Sequence, residues 1–158
     1  MAGQKQKPMD FALKMLSIRD YGKAELRARM ETKGFNAEEI EPVLSVLEGK
    51  KLLDDALFIG KIIEKYTLKT PHGKEFIRDY LEKKGLKKEQ FGEQLERIDE
   101  RASAKLAYGQ KFKRAKTAEN PSKMRQKAAI YLQTKGFDYD IIVEILNEEI
   151  KGDYENEL

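Results

Sequence analysis

The 158-residue sequence predicts an all-α protein of three tandem three-helix repeats, helix-turn-helix-like units stacked into an elongated, curved array. Three observations carry that prediction. Apolar residues recur at helical spacing along the chain, and no stretch shows the sustained alternation of a half-buried strand. A near-identical phrase ends a helix three times, METKGF at 30–35, LEKKGL at 81–86 and LQTKGF at 132–137, which places Gly34, Gly85 and Gly136 at intervals of 51 residues. Charged residues make up 37% of the chain, against a usual ~25%. A thin repeat fold with much surface and a modest core per unit accounts for that excess.

The 51-residue shift aligns more than the glycines. Lys23, Lys74 and Arg125 match as basic residues. Leu26, Ile77 and Ala128 match as inward positions, as do Met30, Leu81 and Leu132. Past the glycine, Phe35, Leu86 and Phe137 align, then Ile40, Phe91 and Ile142, then Leu44, Leu95 and Leu146. The shared phrase has a physical reading. Glycine takes the left-handed conformation a helix end needs, without strain. The lysine before it (Lys33, Lys84, Lys135) sits favourably at the negative end of the helix dipole, so its presence has a structural explanation. The large apolar residue after it can fold back on the last turn.

In the first unit the spacing predicts a helix over 9–18, then one over 22–33 with Leu26 and Met30 inward. A third follows over 37–49, with Ile40, Val43, Leu44 and Leu47 inward. Asn36 caps it with Glu39 as reciprocal partner, Pro42 falls in its first turn or two, and Gly49 is the expected stop. In the second unit Asp54 caps a helix over 55–68 that turns Leu57, Phe58, Ile62, Ile63 and Tyr66 inward, with Asp55 favouring its positive end. In the third unit a helix spans about 99–115 and Asn120-Pro121 signals a turn. Asp138 then caps a helix over 139–150 with Ile141, Ile142, Ile145 and Leu146 inward. The implied boundaries are a flexible N-terminus at 1–8, repeats at 9–50, 51–98 and 99–151, and an acidic tail at 152–158.

Composition excludes several functions. Cysteine is absent, so disulfides, thiolate metal sites and cysteine nucleophiles are excluded. No apolar run approaches the ~20 residues of a membrane helix, and the opening MAGQKQKPMDF lacks the apolar stretch of a secretory signal. A cytoplasmic protein without a membrane partner is expected. His72 is the only histidine, in a Pro-His-Gly turn, and is read as a local polar residue rather than a base. Neighbouring carboxylates such as Asp54–Asp55 and Glu148–Glu149 point apart on a helix and serve as caps and surface charge. The serines sit in no nucleophile elbow, and no glycine-rich phosphate loop or metal-ligand spacing occurs. Neither an enzyme nor a cofactor or metal is expected.

The net charge of +3 conceals opposed blocks. Residues 101–127 carry nine basic groups and one acidic group, and residues 138–158 carry eight acidic groups and one basic group. Such asymmetry points to an anionic partner. The plainer reading, charges that keep helices soluble, accounts for a share of them.

The order of these signals resembles the RecX family, bacterial regulators of the RecA recombinase. The residues that carry it are Ala24-Glu25-Leu26 and Lys33-Gly34-Phe35, then Leu52-Leu53-Asp54-Asp55-Ala56-Leu57-Phe58. Gly73, Ile77, Leu81 and Lys84-Gly85-Leu86 follow, and Tyr131-Leu132 with Lys135-Gly136-Phe137 complete the set over residues 10–150. The resemblance implies tandem three-helix repeats, a monomer that binds the groove of the RecA–DNA filament, and restraint of recombination and repair. It supplies no catalytic residues. Two departures stand out, His72 where many members carry tyrosine before the glycine, and the small Ala128 at an inward position. The candidate RecA- or DNA-binding face comprises Arg101, Lys105, Lys111, Lys113, Arg114, Lys116, Lys123, Arg125 and Lys127, extended by Lys74 and Arg78. DNA, single- or double-stranded, is then a weak or filament-dependent partner. The alternatives are a helical-repeat protein that binds DNA directly and a scaffold that binds only proteins. Against direct duplex reading, no helix gathers arginine, asparagine and glutamine at its N-terminus as groove readers do.

Overall fold

A computed structural model of the protein describes residues 6–113 and 120–150, and among them every regular element is helical. The elements are α1 (Pro8–Ile18), α2 (Lys23–Lys33), α3 (Ala37–Gly49), α4 (Asp55–Glu64) with a π-helical turn Lys65–Lys69, α5 (Lys74–Lys83), α6 (Lys88–Glu96), α7 (Glu100–Phe112), α8 (Pro121–Thr134) and α9 (Tyr139–Glu149).

The three corner glycines take left-handed backbones, with φ of 109° at Gly34, 83° at Gly85 and 83° at Gly136. At each, the following apolar residue donates its N–H back over the turn, Phe35 to Met30, Leu86 to Leu81 and Phe137 to Leu132, at 3.1–3.2 Å. This closes the helix end by satisfying a carbonyl otherwise left unpaired. The aligned inward positions are buried as the shift requires. Leu26, Ile77 and Ala128 are all 0% exposed, and so are Met30, Leu81 and Leu132.

The chain forms two compact units, one from Met1–Gly60 and Leu81–Phe91, the other from Lys61–Tyr80 and Gly92–Leu158. The first is built around Ala12, Tyr21, Leu26, Met30, Ile40, Val43, Leu44, Leu47 and Leu53. In it Asn36 and Glu39 form the expected capping box on α3, and Pro42 lies within that helix on an exposed position. The second has its core on the inner faces of α7, α8 and α9, from Ala104 and Tyr108 through Ala128 and Leu132 to Ile145 and Ile150.

An acid at the start of one helix also accepts from the N-terminus of another within each unit. Asp55 accepts from the Lys23 N–H at 2.8 Å in the first. Glu100 accepts from the N–H groups of Lys74 and Asp138 at 3.2 and 3.3 Å in the second. Each ties the N-terminus of one helix, with its unpaired donors, to the start of another.

Three details differ from the sequence expectation. Gly49 does not stop α3: it is the last helical residue, and Lys51 takes the left-handed turn at φ 60°. There the Leu52 N–H reaches the Leu47 carbonyl at 2.9 Å, so a lysine does what glycine does at the other corners. Leu57 is 56% exposed, because α4 buries Phe58, Ile59 and Ile62 as its stripe and turns Leu57 outward. Ile63 and Tyr66 are only half-buried, and the last turn before the loop is π-helical.

Candidate nucleic-acid interface

The basic stretch lies in the second unit. Asp99 caps α7 by accepting from the Ala102 N–H at 3.0 Å. Its buried side then presents Ser103, Ala104, Ala107, Tyr108 and Phe112. That choice of face leaves Lys105, Lys111 and Lys113 exposed. Asn120 caps α8 from its side-chain oxygen to the Ser122 N–H at 2.8 Å, with Pro121 at the first helical position, where its missing N–H costs nothing. The helix buries Met124, Ala128 and Leu132 and leaves Lys123 and Lys127 exposed.

The predicted cations divide by surroundings. Lys105 and Lys113 line a groove of about 610 Å³ with Leu106, Tyr108, Gly109 and Glu149. Leu106 also lines an adjoining groove with Leu68 and Arg97. Neither Lys105, Lys113 nor Lys123 pairs with a carboxylate among the described residues. Arg101 is engaged, pairing with Glu144 at 3.2 Å and with Glu148, both on α9. Lys74 donates from Nζ to the Glu96 carbonyl at 3.3 Å. Arg125 donates to the Leu146 carbonyl at 3.2 Å and to the Asn147 side chain at 2.9 Å. Both side chains therefore reach a helix C-terminus, where a cation meets the negative end of the helix dipole. Their shared repeat position has this local role: Lys23, the third member, pairs with Glu48 near the end of α3 at 2.6 Å. Arg78 is half-buried. Lys127 is exposed and has a partner. Arg114 and Lys116 lie outside the described residues.

Sequence reasoning missed Tyr131 and gave Lys135 only a dipole role. Tyr131 is half-buried on α8, with its ring edge-on to Phe112 at 5.6 Å. The Nζ atoms of Lys111 and Lys135 lie 5.8 and 5.5 Å from its ring centre. The available signal was the spacing: Lys123, Lys127, Tyr131 and Lys135 recur every fourth residue.

The Lys135 carbonyl accepts from the Gly73 N–H at 2.8 Å, which welds the loop before α5 to this corner. On that loop His72 stacks on Phe76 at 4.0 Å, and Tyr66 packs against His72, Phe76 and Tyr80 at 5.2, 5.2 and 4.9 Å. The π-helical turn helps make the meeting possible, since its wider ring ends with the Thr70 N–H on the Lys65 carbonyl and leads to the His72 N–H on the Tyr66 carbonyl. His72 Nδ1 lies 2.5 Å from the Thr70 carbonyl, which only accepts, so that nitrogen carries the hydrogen. Burial pushes the imidazole pKa down, the Thr70 carbonyl pushes it up, and the Lys135 charge pushes it down again; the balance is downward. His72 is thus a neutral packing residue.

No helix among the described residues is long and apolar enough to cross a membrane. Comparison with known proteins agrees with this architecture. Residues 9–47 match the first three-helix domain of RecX, and residues 99–146 match the third. The chain is 30% identical over 151 residues to the regulatory protein RecX of Chlorobaculum tepidum, covering 93% of each chain. It is 33% identical over 147 residues to that of Thermotoga petrophila, covering 92% of this chain and 86% of the other. Among solved structures, a crystal structure of regulatory protein RecX superposes with a TM-score of 0.72 at 23% identity, over 90% of this chain and 72% of that one. RecX from Lactobacillus salivarius superposes with a TM-score of 0.68 at 20% identity, over 90% of this chain and 94% of that one. At these identities the two structures speak to the fold alone.

Proposed function

The chain belongs to the RecX family of regulatory proteins, and from that premise we propose that it binds the groove of a RecA–DNA filament in the cytoplasm and restrains RecA's recombinase and ATPase activity. It acts as a binding protein and not as an enzyme. The observation that supports the reading is the positive charge of the second unit that forms no ion pair with a described carboxylate, at Lys105, Lys113 and Lys123. Such cations suit the phosphates of filament DNA or an acidic protein surface. Neutralising phosphates releases counterions, so association weakens steeply as salt rises. The groove between Lys105 and Lys113 adds an apolar contact through Leu106, which is 40% exposed.

The test is co-sedimentation with RecA-coated DNA, comparing the wild-type chain with the Lys105→Glu, Lys113→Glu double variant. Both residues are exposed, so helicity should be unchanged. Binding weaker by tenfold or more supports the reading, since each reversed contact to a charged partner is worth on the order of 1 kcal/mol or more. Unchanged binding at moderate salt removes this patch from the interface.

A further inference from the structure

Tyr131 packs on the core of the second unit, its ring edge-on to Phe112. Yet it stands half-exposed between lysines from two places, Lys111 on α7 and Lys135 at the glycine corner. At 5.8 and 5.5 Å from the ring centre these ammonium groups are near the ~6 Å limit of a cation–π contact, so the ring leaves most of each charge available. Lys123 continues the row two turns toward the start of α8, and positions four apart on a helix rise by ~6 Å. The neighbouring Ile130 is 65% exposed and extends the apolar part of the same helix surface.

Cations in a row tracking an aromatic ring are what a single nucleic-acid strand requires. Phosphates take the cations, and an unstacked base takes the ring. A duplex satisfies only half of this, because its bases are already stacked and hide their faces. An acidic peptide would likewise pair with the lysines and leave the ring unused. The alternation continues past the Lys135–Gly73 weld: Tyr66 is half-buried and carries Lys65 5.1 Å from its ring centre.

We infer that the face of α8 around Tyr131 binds a single strand of nucleic acid, stacking a base on Tyr131 and placing phosphates on Lys111, Lys123 and Lys135. The inference deepens the filament reading by giving the second unit its own site for a bare strand, and it needs no RecA.

The experiment is fluorescence anisotropy with the full chain, using labelled oligo(dT) and a duplex of the same length over a range of salt. The expected result is preference for the single strand. Tyr131→Leu should weaken it roughly five- to a hundredfold, the worth of one stacked base, while Tyr131→Phe retains it. Lys111→Gln should lower the slope of log affinity against log salt by ~0.7, one phosphate on a single strand. Equal binding by folded Tyr131→Leu, or preference for the duplex, would overturn the inference. Should Tyr131→Leu fail to fold, the exposed Lys111→Gln and Lys123→Gln variants decide, and unchanged salt slopes in both overturn it. Tyr131→Leu is tested on RecA-coated DNA as well: loss of oligo(dT) binding with filament binding kept separates this site from the filament contact.

Discussion

The two compact units handle their cations differently. In the first, Arg19 pairs with Glu25 at 2.9 Å, Lys23 with Glu48 at 2.6 Å and Arg27 with Glu41 at 2.7 Å. Lys84 adds a second cation to Glu25 at 2.6 Å. In the second, Lys111 and Lys135 lie against an aromatic ring, while Lys105, Lys113 and Lys123 form no ion pair with a described carboxylate, Glu149 sharing the groove of the first two without pairing. Arg101, held by Glu144 and Glu148, and Arg97, 2.9 Å from Glu93, are the counterexamples there. Lys14, Arg29, Lys50 and Lys51 of the first unit pair with no described carboxylate either, so what sets the second unit apart is that its unpaired lysines gather within residues 105–123. Paired charges stabilise a unit modestly, whereas such a gathering of unpaired ones suits an anionic partner.

The corners repeat this contrast in backbone terms, and they predict the largest effect. A Cβ on Gly73 would lie 2.0 Å from the Gly136 carbonyl oxygen, a backbone atom that cannot step aside. On the equivalent Gly22 it would lie 3.1 Å from the Phe58 ring, which can yield. Gly73→Ala should cost the second unit about 3 kcal/mol or more in urea denaturation, and Gly22→Ala at most about 1 kcal/mol. Equal costs would break the comparison. Next in size is the charge test. Arg27→Gln should leave filament binding within about twofold, against the tenfold loss expected of the Lys105→Glu, Lys113→Glu double variant.

Two pH effects are smaller. His72 is held below its ordinary pKa of 6.5, first by burial. The unfolded chain then binds the proton more readily, so this residue's stabilisation is complete above 6.5 and is lost as pH falls below it. His72→Gln should flatten that part of a plot of urea midpoint against pH. Glu25 behaves as a depressed carboxylate. Burial pushes its pKa up, but hydrogen bonds and charge from Arg19 and Lys84 outweigh that and hold it below 4.5. Its contribution is present above 4.5 and is lost as pH falls through the lower folded value, so Glu25→Gln should soften acid unfolding of the first unit.

Much of the fold was legible because each repeat states it locally. The glycine corners, the Asn36–Glu39 box and the Asp138 cap depend on neighbouring residues only. What was not legible depends on packing. Leu57 turns outward because Phe58, Ile59 and Ile62 claim the buried stripe. The π-helical turn that leads Tyr66 and His72 together has no local signal, and Lys51 adopts the backbone expected of glycine. At the candidate site, composition located the basic stretch. It could not separate Arg101 from Lys105, because the difference is made by Glu144, 43 residues from Arg101. Tyr131 escaped notice because an aromatic at helical spacing reads as core.

The most direct measurement is RecA ATP hydrolysis on single-stranded DNA as this protein is titrated in. The account predicts a progressive fall with the wild-type chain and a much weaker fall with the Lys105→Glu, Lys113→Glu variant. Hydrolysis that stays unchanged at saturating wild-type protein would contradict it.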